Sequence, residues 1–223
     1  KRSRQNVRIG LKNCVVQPIS FAQLAEDGWL LEQDTEDRQK RHSSHTREEW
    51  RRRCLAAADI PGFEAWGAIV EGRLVASLMT FQMGDCCEML SQQSHRTCLK
   101  QRVNNALTFT VTREMMKRPG IRSVFYTIQS LDAPPSVDEF KIRMGYRAIP
   151  LRQRVVFHPL LEPFANPVSY LVLKHLRRLF PKDYRLAKGS GMLRFNIQGR
   201  QPLEKQLRPH ILDEETDSRA LLD

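Results

Sequence analysis

Residues 86–116 read CCEMLSQQSHRTCLKQRVNNALTFTVTREMM, and three elements follow one another in this stretch. The first part, CCEMLSQQ, is typical of a short strand, and a basic turn separates it from a helix that opens at Asn104 and Asn105. Apolar residues recur in the helix at i, i+4 intervals, which predicts a buried stripe: Val103, Leu107, Val111 and Met115.

The turn between this strand and this helix is a candidate anion site. The first N–H groups of a helix have no intrahelical acceptor, and the helix dipole places partial positive charge at that end. A helix start can therefore hold phosphate. Four side chains of the turn can add hydrogen bonds to the same anion: Arg96, Lys100, Gln101 and Arg102.

The bulk composition is that of a globular protein with anionic partners. The 223 residues suffice for one substantial domain, and 41% hydrophobic and 27% charged residues are ordinary values. The net charge of +11 favours nucleic acid, an acidic membrane face or a polyphosphate cofactor. Charge alone does not distinguish these partners.

The cysteines indicate a reducing compartment, and we expect the cytoplasm. Their number, five, is odd, and none are spaced C-x-x-C, so neither a zinc site nor a disulfide framework is predicted. His42 and His45 lie three residues apart but have no convincing further ligand, so no metal is expected. No apolar run approaches the roughly 20 residues that span a bilayer, and no secretory signal is visible.

The first third of the chain predicts a strand followed by two helices. β-Branched residues favour a strand from Val7 to Gln17, and Ser20 can cap a helix over residues 21–33. The charged run Asp34 to His45 is typical of a solvated loop. Thr46 and Glu49 then form a capping-box pattern before a helix that reaches Ala58.

Three strands joined by short glycine turns predict an antiparallel meander: EAWGAIV from residue 64, RLVASLMTFQ from residue 73 and CCEMLSQQ from residue 86. After the central helix, the apolar run Ser123 to Gln129 is typical of a strand beside a crossover helix. A short helix from Ser136 that ends at Gly145 and a last strand from Ala148 to Phe157 complete the pattern.

The C-terminal part predicts one amphipathic helix. Val168, Leu171, Val172, Leu176 and Leu179 share a side of the segment Pro167 to Phe180, and basic residues lie opposite. We expect this helix to pack on the sheet rather than lie on lipid, and we leave the order of the tail beyond it open. The predicted domains are residues 7–158 and 159–223.

This order of elements is similar to that of the GNAT superfamily of acyl-CoA-dependent N-acyltransferases. The resemblance implies an α/β fold: a largely antiparallel sheet with one parallel pair around the central helix, and helices on both faces. The family's turn usually reads Q/R-x-x-G-x-G/A, and its amides cradle the CoA pyrophosphate. Gln101 and Ala106 match it here, whereas Asn104 replaces the middle glycine. Because Asn tolerates left-handed backbone, we expect the turn to survive.

A second likeness lies in FKIRMGYRAIP, residues 140–150, which resembles GNAT domains and the related Fem-type aminoacyltransferases. The two likenesses together cover residues 63–157. They imply acyl-CoA, most simply acetyl-CoA, as co-substrate and an amine as acceptor. They also imply these candidate cofactor contacts: Ser91, Gln92, Arg96, Lys100, Gln101, Arg102, Val103, Asn104, Asn105 and Ala106.

The resemblance implies direct attack of an amine on the thioester, assisted by a base and by a proton donor for the thiolate. Glu88 on the strand and His95 at its end are the candidate bases. Tyr146, after the glycine that ends the short helix, is the candidate donor, and Ser130 is a weaker one. The strand cysteines are interpreted as small buried hydrophobes.

Three functions remain open at this stage. The first is acyl-CoA-dependent N-acyl transfer to an amine. The second is tRNA-dependent aminoacyl transfer of the Fem type, which the +11 charge would suit. The third is a non-catalytic module that binds nucleic acid or a membrane surface through the cationic face of Tyr170 to Phe180.

Overall fold

The computed structural model describes residues 2–39, 46–128, 136–149, 155–180, 183–202 and 205. The chain divides into two compact units, Lys1–Ile128 and Gln129–Asp223. The predicted boundary at residue 158 differs from this division and stays a prediction.

Unit 1 is built on a five-stranded sheet whose strands lie in chain order. The strands are β1 (Val15–Ile19), β2 (Phe63–Val70), β3 (Arg73–Met83), β4 (Cys86–Ser94) and β5 (Ser123–Phe125). The first four pair antiparallel, and β4 and β5 pair parallel. The predicted meander and parallel pair are therefore confirmed.

Helix α1 (Arg2–Asn13) occupies most of the segment in which a strand was predicted. The prediction of a strand over Val7 to Gln17 was wrong up to Asn13, and β1 begins only at Val15. Tertiary packing explains the helix, because Val7 and Gly10 are buried and α1 packs against the central helix. A Cβ on Gly10 would lie 2.4 Å from the carbonyl oxygen of Arg102, so only glycine permits this approach.

Helices α2 (Phe21–Gln39) and α3 (Arg47–Ala58) pack on each other and on one face of the sheet. Ser20 accepts a hydrogen bond from the Gln23 N–H at 3.0 Å, and the Thr46 capping box is formed, as predicted. The predicted loop was wrong over Asp34 to Gln39, which is helical, and residues 40–45 lie outside the described residues. Thr35 is buried there against the end of β4, so tertiary contact extends the helix.

Helix α4 (Val103–Met116) is the predicted central helix, preceded by a short 3-10 helix, Arg96–Gln101. Its predicted stripe is confirmed, because Val103, Leu107, Val111 and Met115 are at most 1% exposed. The chain then returns as β5, which is shorter than the predicted strand, since Tyr126 to Ile128 leave the sheet. Residue 129 lies outside the described residues.

Unit 2 contains helices α5 (Ser136–Arg143), α6 (Pro167–Leu179) and α7 (Tyr184–Gln198). Gly145 follows α5 at φ 98°, the left-handed conformation predicted for it. The ends of the predicted last strand, residues 148–149 and 155–157, are not in a strand, and residues 150–154 lie outside the described residues. Helix α6 packs against α7 and has no buried residue. The expectation that it packs on the sheet stays a prediction.

Candidate active site

Strands β4 and β5 part after a short stretch of pairing. Their register is Cys86 to Ser123, Cys87 to Val124 and Glu88 to Phe125, and there it stops. Strand β4 nevertheless continues to Ser94, still paired with β3 on its other side. The backbone groups of β4 that point toward β5 beyond Glu88 therefore have no strand partner within the part of the chain that the structure describes. The parting leaves an open edge next to the start of α4.

A bulge in β4 lies next to this point. Thr80 pairs with Met89 and Met79 pairs with Ser91, so Leu90 is the extra residue on β4. A bulge bends its strand and increases the local twist. The bulge therefore changes the direction of the second half of β4. Ser91, the residue directly after the bulge, is half-buried.

Glu88 lies in a row of aromatic residues across four strands. In register, Phe63 faces Phe81, Phe81 faces Glu88 and Glu88 faces Phe125, so the four side chains share one face of the sheet. The rings of Phe63 and Phe81 are 4.5 Å apart, and Phe63 packs against the core under α2 and α3. The half-buried Glu88 carboxylate has no hydrogen-bond or ionic partner among the described residues.

Gln92 of β4 contacts the chain that follows β5, on the opposite face of the sheet and beyond the last backbone pair between the two strands. Its Oε1 accepts from the Thr108 hydroxyl of α4 at 2.9 Å and from the Tyr126 hydroxyl. Its Nε2 donates to the Asn104 carbonyl at 3.4 Å. Tyr126 thus crosses the gap between β4 and the chain that follows β5. Tyr126 lies inside the strand predicted for Ser123 to Gln129, so its place just after the end of β5 is visible only in the structure.

The start of α4 has the features of an anion site, with a different turn geometry from the one expected. The left-handed residue is Arg102, at φ 63°, and Asn104 is helical, so the expectation of left-handed backbone at Asn104 was wrong. The Arg102 carbonyl accepts from the N–H groups of Asn105 and Ala106 at 3.0 and 3.2 Å. The N–H groups of Val103 and Asn104 find no acceptor in the described part of the chain.

The Asn104 side chain points back toward the end of β4. Its Nδ2 donates to the Ser94 hydroxyl at 2.9 Å, while its Oδ1 is buried without a partner. The Gln101 Oε1 is likewise buried and unpartnered. Two orphaned acceptors beside a helix start attract a hydrogen-bond donor. Rotating the Asn104 amide by 180° would instead let Ser94 donate to Oδ1 and would free the amide protons.

The basic residues of the turn differ in whether their side chains are free to bind an anion. Arg96 is ion-paired with Asp34 of α2 and also donates its backbone N–H to that carboxylate at 2.7 Å. The side chains of Lys100 and Arg102 are exposed and have no ionic partner among the described residues. Val103 and Ala106 are fully buried, so only their backbone can meet a ligand, and Asn105 is half-buried.

His95 caps the short 3-10 helix. Its Nδ1 lies 2.7 Å from the Thr97 hydroxyl and accepts from the Thr97 N–H at 3.4 Å. Because a backbone N–H can only donate, the neutral ring carries its proton on Nε2. His95 also lies seven residues beyond Glu88, roughly 20 Å along an extended strand. The two candidate bases therefore do not meet at one reacting atom.

Tyr146 belongs to unit 2, where it is half-buried and its N–H donates to the Lys141 carbonyl at 3.2 Å. Its role stays a prediction, because its place relative to β4 is not described. Ser130 lies outside the described residues.

The cysteines behave as buried apolar residues where the structure buries them. Burial raises the pKa of the Cys87 thiol, and that of Cys54, to about 11. Burial also raises the pKa of Cys14. A thiol that stays protonated is a poor nucleophile, so Cys87 on β4 is not a nucleophile near neutral pH. No cluster of metal-binding side chains occurs within the described ranges.

Comparison with solved structures finds this fold in several acetyltransferases. A possible acetyltransferase from Clostridium difficile 630 has a TM-score of 0.50 at 13% identity, with 66% of this chain and 99% of that chain covered. Ribosomal-protein-alanine N-acetyltransferase from Brucella melitensis biovar Abortus 2308 has a TM-score of 0.51 at 11% identity, with coverages of 65% and 99%. Aminoglycoside N-acetyltransferase AAC(6')-Iy, solved with CoA, has a TM-score of 0.50 at 10% identity, with coverages of 66% and 93%.

The chain has a GNAT fold. No protein-family profile and no curated protein matches the sequence. At 10–13% identity the structural likeness establishes the fold alone, and about a third of this chain lies outside it. The GNAT fold accounts for the parallel β4–β5 pair and for the crossover helix between them.

Proposed function

We propose that this protein is an N-acyltransferase that moves an acyl group, acetyl in the simplest case, from an acyl-CoA thioester to an amine. The observation that carries the proposal is the parting of β4 and β5 at Glu88 and Phe125, beside a helix start with two free N–H groups. Fold likeness to named acetyltransferases, one of them solved with CoA, supports it.

The described residues fit an acyl-CoA at this place. The N–H groups of Val103 and Asn104 and the cations Lys100 and Arg102 suit the phosphates of CoA. The unpaired edge of β4 around Ser91 suits the amides of the pantetheine arm. The buried Oδ1 of Asn104 and Oε1 of Gln101 are hydrogen-bond acceptors. They would repel the oxygens of a phosphate, so they favour an N–H group of the ligand on their side of the turn.

Glu88 is the best placed proton acceptor. As the amine nitrogen bonds to the thioester carbonyl carbon and the carbon–sulfur bond breaks, one amine proton passes to the Glu88 carboxylate. Glu88 has no ionic partner among the described residues, which leaves it available, and Phe81 and Phe125 on either side restrict its solvation. The thioester would lie in the gap between the strands, so Glu88 approaches it from one face of the sheet and Tyr126 from the other. The departing thiolate takes the Tyr126 hydroxyl proton. Tyr146 remains the alternative proton donor. His95 remains the alternative base, in place of Glu88, for an acyl group that lies at the far end of β4.

The test is acetyl transfer to a panel of amines, followed by thiol release. Glu88→Gln keeps the shape of the side chain and removes the base, so we expect kcat to fall about 100- to 1000-fold with little change in KM for acetyl-CoA. Glu71→Gln, at an exposed β2–β3 turn, is the matched control and should retain activity. Equal turnover in wild type and Glu88→Gln would remove Glu88 from the mechanism.

Two observations favour the tRNA-dependent alternative. The Tyr126–Gln92 bond spans the gap and Asn104 replaces the family's glycine, and both features narrow the place for CoA. If acetyl-CoA is not a donor, aminoacyl-tRNA is the next donor to test. The net charge of +11 suits it, and steep salt dependence would accompany binding. We propose a cytoplasmic location for the protein with either donor, acyl-CoA or aminoacyl-tRNA.

None of the helices in the described ranges is long and apolar enough to cross a bilayer.

A further inference from the structure

Helix α6 in unit 2 presents an apolar stripe to solvent. The exposed fractions are 69% for Val168, 60% for Leu171, 52% for Val172 and 60% for Leu179. At about 100° per residue, these four side chains fall within an arc of about 100° on the helix surface. His175 lies in the same arc and is also exposed. An apolar stripe of this width is ordinarily buried, so its exposure calls for an explanation.

The stripe is not the side that α6 uses to pack on α7. Ser169, Leu173 and Leu176 are half-buried and lie next to the stripe on one flank. A Cβ on Gly189 of α7 would lie 3.5 Å from the Leu173 side chain, which places α7 on that flank. The stripe therefore stays uncovered after α6 and α7 have packed.

The other flank of the stripe is basic. Lys174 and Arg178 border the arc on the side away from α7, and Arg177 lies farther round. Helix α6 contains no Asp or Glu, and no carboxylate in the described part of the chain pairs with these three cations. Lys174 lies over the Tyr170 ring at 6.0 Å. A basic edge without counter-charges thus runs along the apolar stripe.

The apolar surface continues beyond the helix. Val168 and Val172 also form one wall of an open groove of about 400 Å³, whose other walls are Phe157, Leu161, Phe164, Leu173 and Leu193. Phe164 in its wall is 66% exposed, and Leu160, near it in sequence, is 78% exposed. The groove and the stripe form one contiguous apolar surface within unit 2.

We propose that this surface of unit 2 binds the face of a membrane that contains anionic lipids. Helix α6 lies in the plane of the lipid headgroups, with Leu171 and Leu179 directed into the acyl boundary and Lys174 and Arg178 among the lipid phosphates. A basic amphipathic helix binds lipid through both its apolar area and its charge. The inference goes beyond acyl transfer and does not depend on it.

A second copy of the chain suits this surface less well. A two-fold dimer with antiparallel α6 helices would place the same basic edge against itself, because its axis maps that edge onto the same side of the interface. With no acid on α6 to pair with Lys174, Arg177 and Arg178, like charges would repel across the interface. Lipid phosphates supply the missing counter-charge.

The experiment is flotation of the full chain with phosphatidylcholine vesicles, with and without phosphatidylglycerol, at low and moderate salt. We expect binding to the anionic vesicles that weakens with salt and is far weaker to neutral ones. Lys174→Gln/Arg178→Gln should lower binding about 25-fold, since each cation near the surface contributes about fivefold. Leu171→Gln/Leu179→Gln should lower it on both kinds of vesicle.

Matched controls come from exposed positions of unit 1. Arg52→Gln/Arg53→Gln removes two cations from α3, and Leu30→Gln/Met116→Gln removes two apolar side chains, and both should bind vesicles as the wild type does. The proposal is overturned if the wild type binds no vesicles, or if the α6 variants bind as well as the controls. It is also overturned if Leu171→Gln/Leu179→Gln lowers the melting temperature or the oligomeric state, because protein would then cover the stripe.

Discussion

Tyr126 donates a hydrogen bond to Gln92 one residue beyond the last backbone pair between β5 and β4. This contact spans the gap that the two strands leave when they part. In the proposed mechanism the thioester of acyl-CoA enters that gap. The hydrogen bond between Tyr126 and Gln92 then has to break, which leaves the Tyr126 hydroxyl available to the ligand. The same side chain closes the empty gap and supplies a proton when the gap is filled.

Replacing Tyr126 with Phe should separate binding from catalysis. The bond no longer competes with the ligand, so we expect acetyl-CoA to bind about 2- to 10-fold more tightly, in line with one hydrogen bond. Loss of the proton donor should lower kcat about 10- to 100-fold. The measurements are a CoA titration and steady-state kinetics, with Tyr170→Phe of α6 as control. If both binding and kcat are unchanged, Tyr126 does not touch the ligand.

Asn104→Gly should strengthen the affinity for CoA. The substitution removes the buried and unpartnered Oδ1 next to the free N–H groups of Val103 and Asn104. It also restores the glycine that the GNAT turn carries at this position. We expect a several-fold tighter Kd and a stability loss of up to about 1 kcal/mol from glycine in a helix. Asn105→Gly, one residue along, should show the stability loss alone. A weaker Kd in Asn104→Gly would mean that the amide binds the ligand.

Gly10→Ala should destabilise the protein, because its Cβ would lie 2.4 Å from the Arg102 carbonyl oxygen. Overpacking of this kind costs about 1–3 kcal/mol, since α1 must shift from the start of α4. Gly189→Ala in α7 is the control, because its Cβ would meet nothing closer than 3.5 Å. It should be neutral or slightly stabilising. Denaturant unfolding measures both, and equal stability of the two variants would show that α1 does not pack tightly on α4.

The buried thiol of Cys87 should make the protein less stable at alkaline pH. Burial raises its pKa from 9.0 to about 11, so the unfolded chain releases this proton at lower pH than the folded one. Stability is therefore full below about pH 9 and falls between about pH 9 and 11, by about 2–3 kcal/mol from this group. Cys87→Ala should lessen the slope in denaturant unfolding across that range. An unchanged slope would show that the thiol is accessible.

Local patterns in the sequence predicted most of unit 1. The meander from Phe63 to Ser94, the Thr46 capping box and the stripe from Val103 to Met115 are encoded by periods and turns of a few residues, and all were confirmed. The two errors at the N-terminus have the opposite cause. Helix α1 and the end of α2 exist because Gly10 meets Arg102 and Thr35 meets Ser94, partners more than 50 residues away.

The candidate site was predicted only in outline. The turn from Arg96 to Ala106 follows from its place before a helix, and the structure adds which groups there are free. Three features of the site depend on strand register and on contacts between distant segments: the ion pair of Arg96 with Asp34, the Tyr126–Gln92 bond and the aromatic row around Glu88. Such contacts leave no periodic signal in a single sequence.

The most direct test of the central claim is a titration with acetyl-CoA, followed by the melting temperature at low and moderate salt. A ligand that binds only the folded state raises the melting temperature by mass action. We predict a saturable rise in the wild type and in the Arg52→Gln/Arg53→Gln control, and a clearly weaker one in Lys100→Gln/Arg102→Gln at the start of α4. No rise in the wild type, or the same rise in all three proteins, would contradict an acyl-CoA site at this helix.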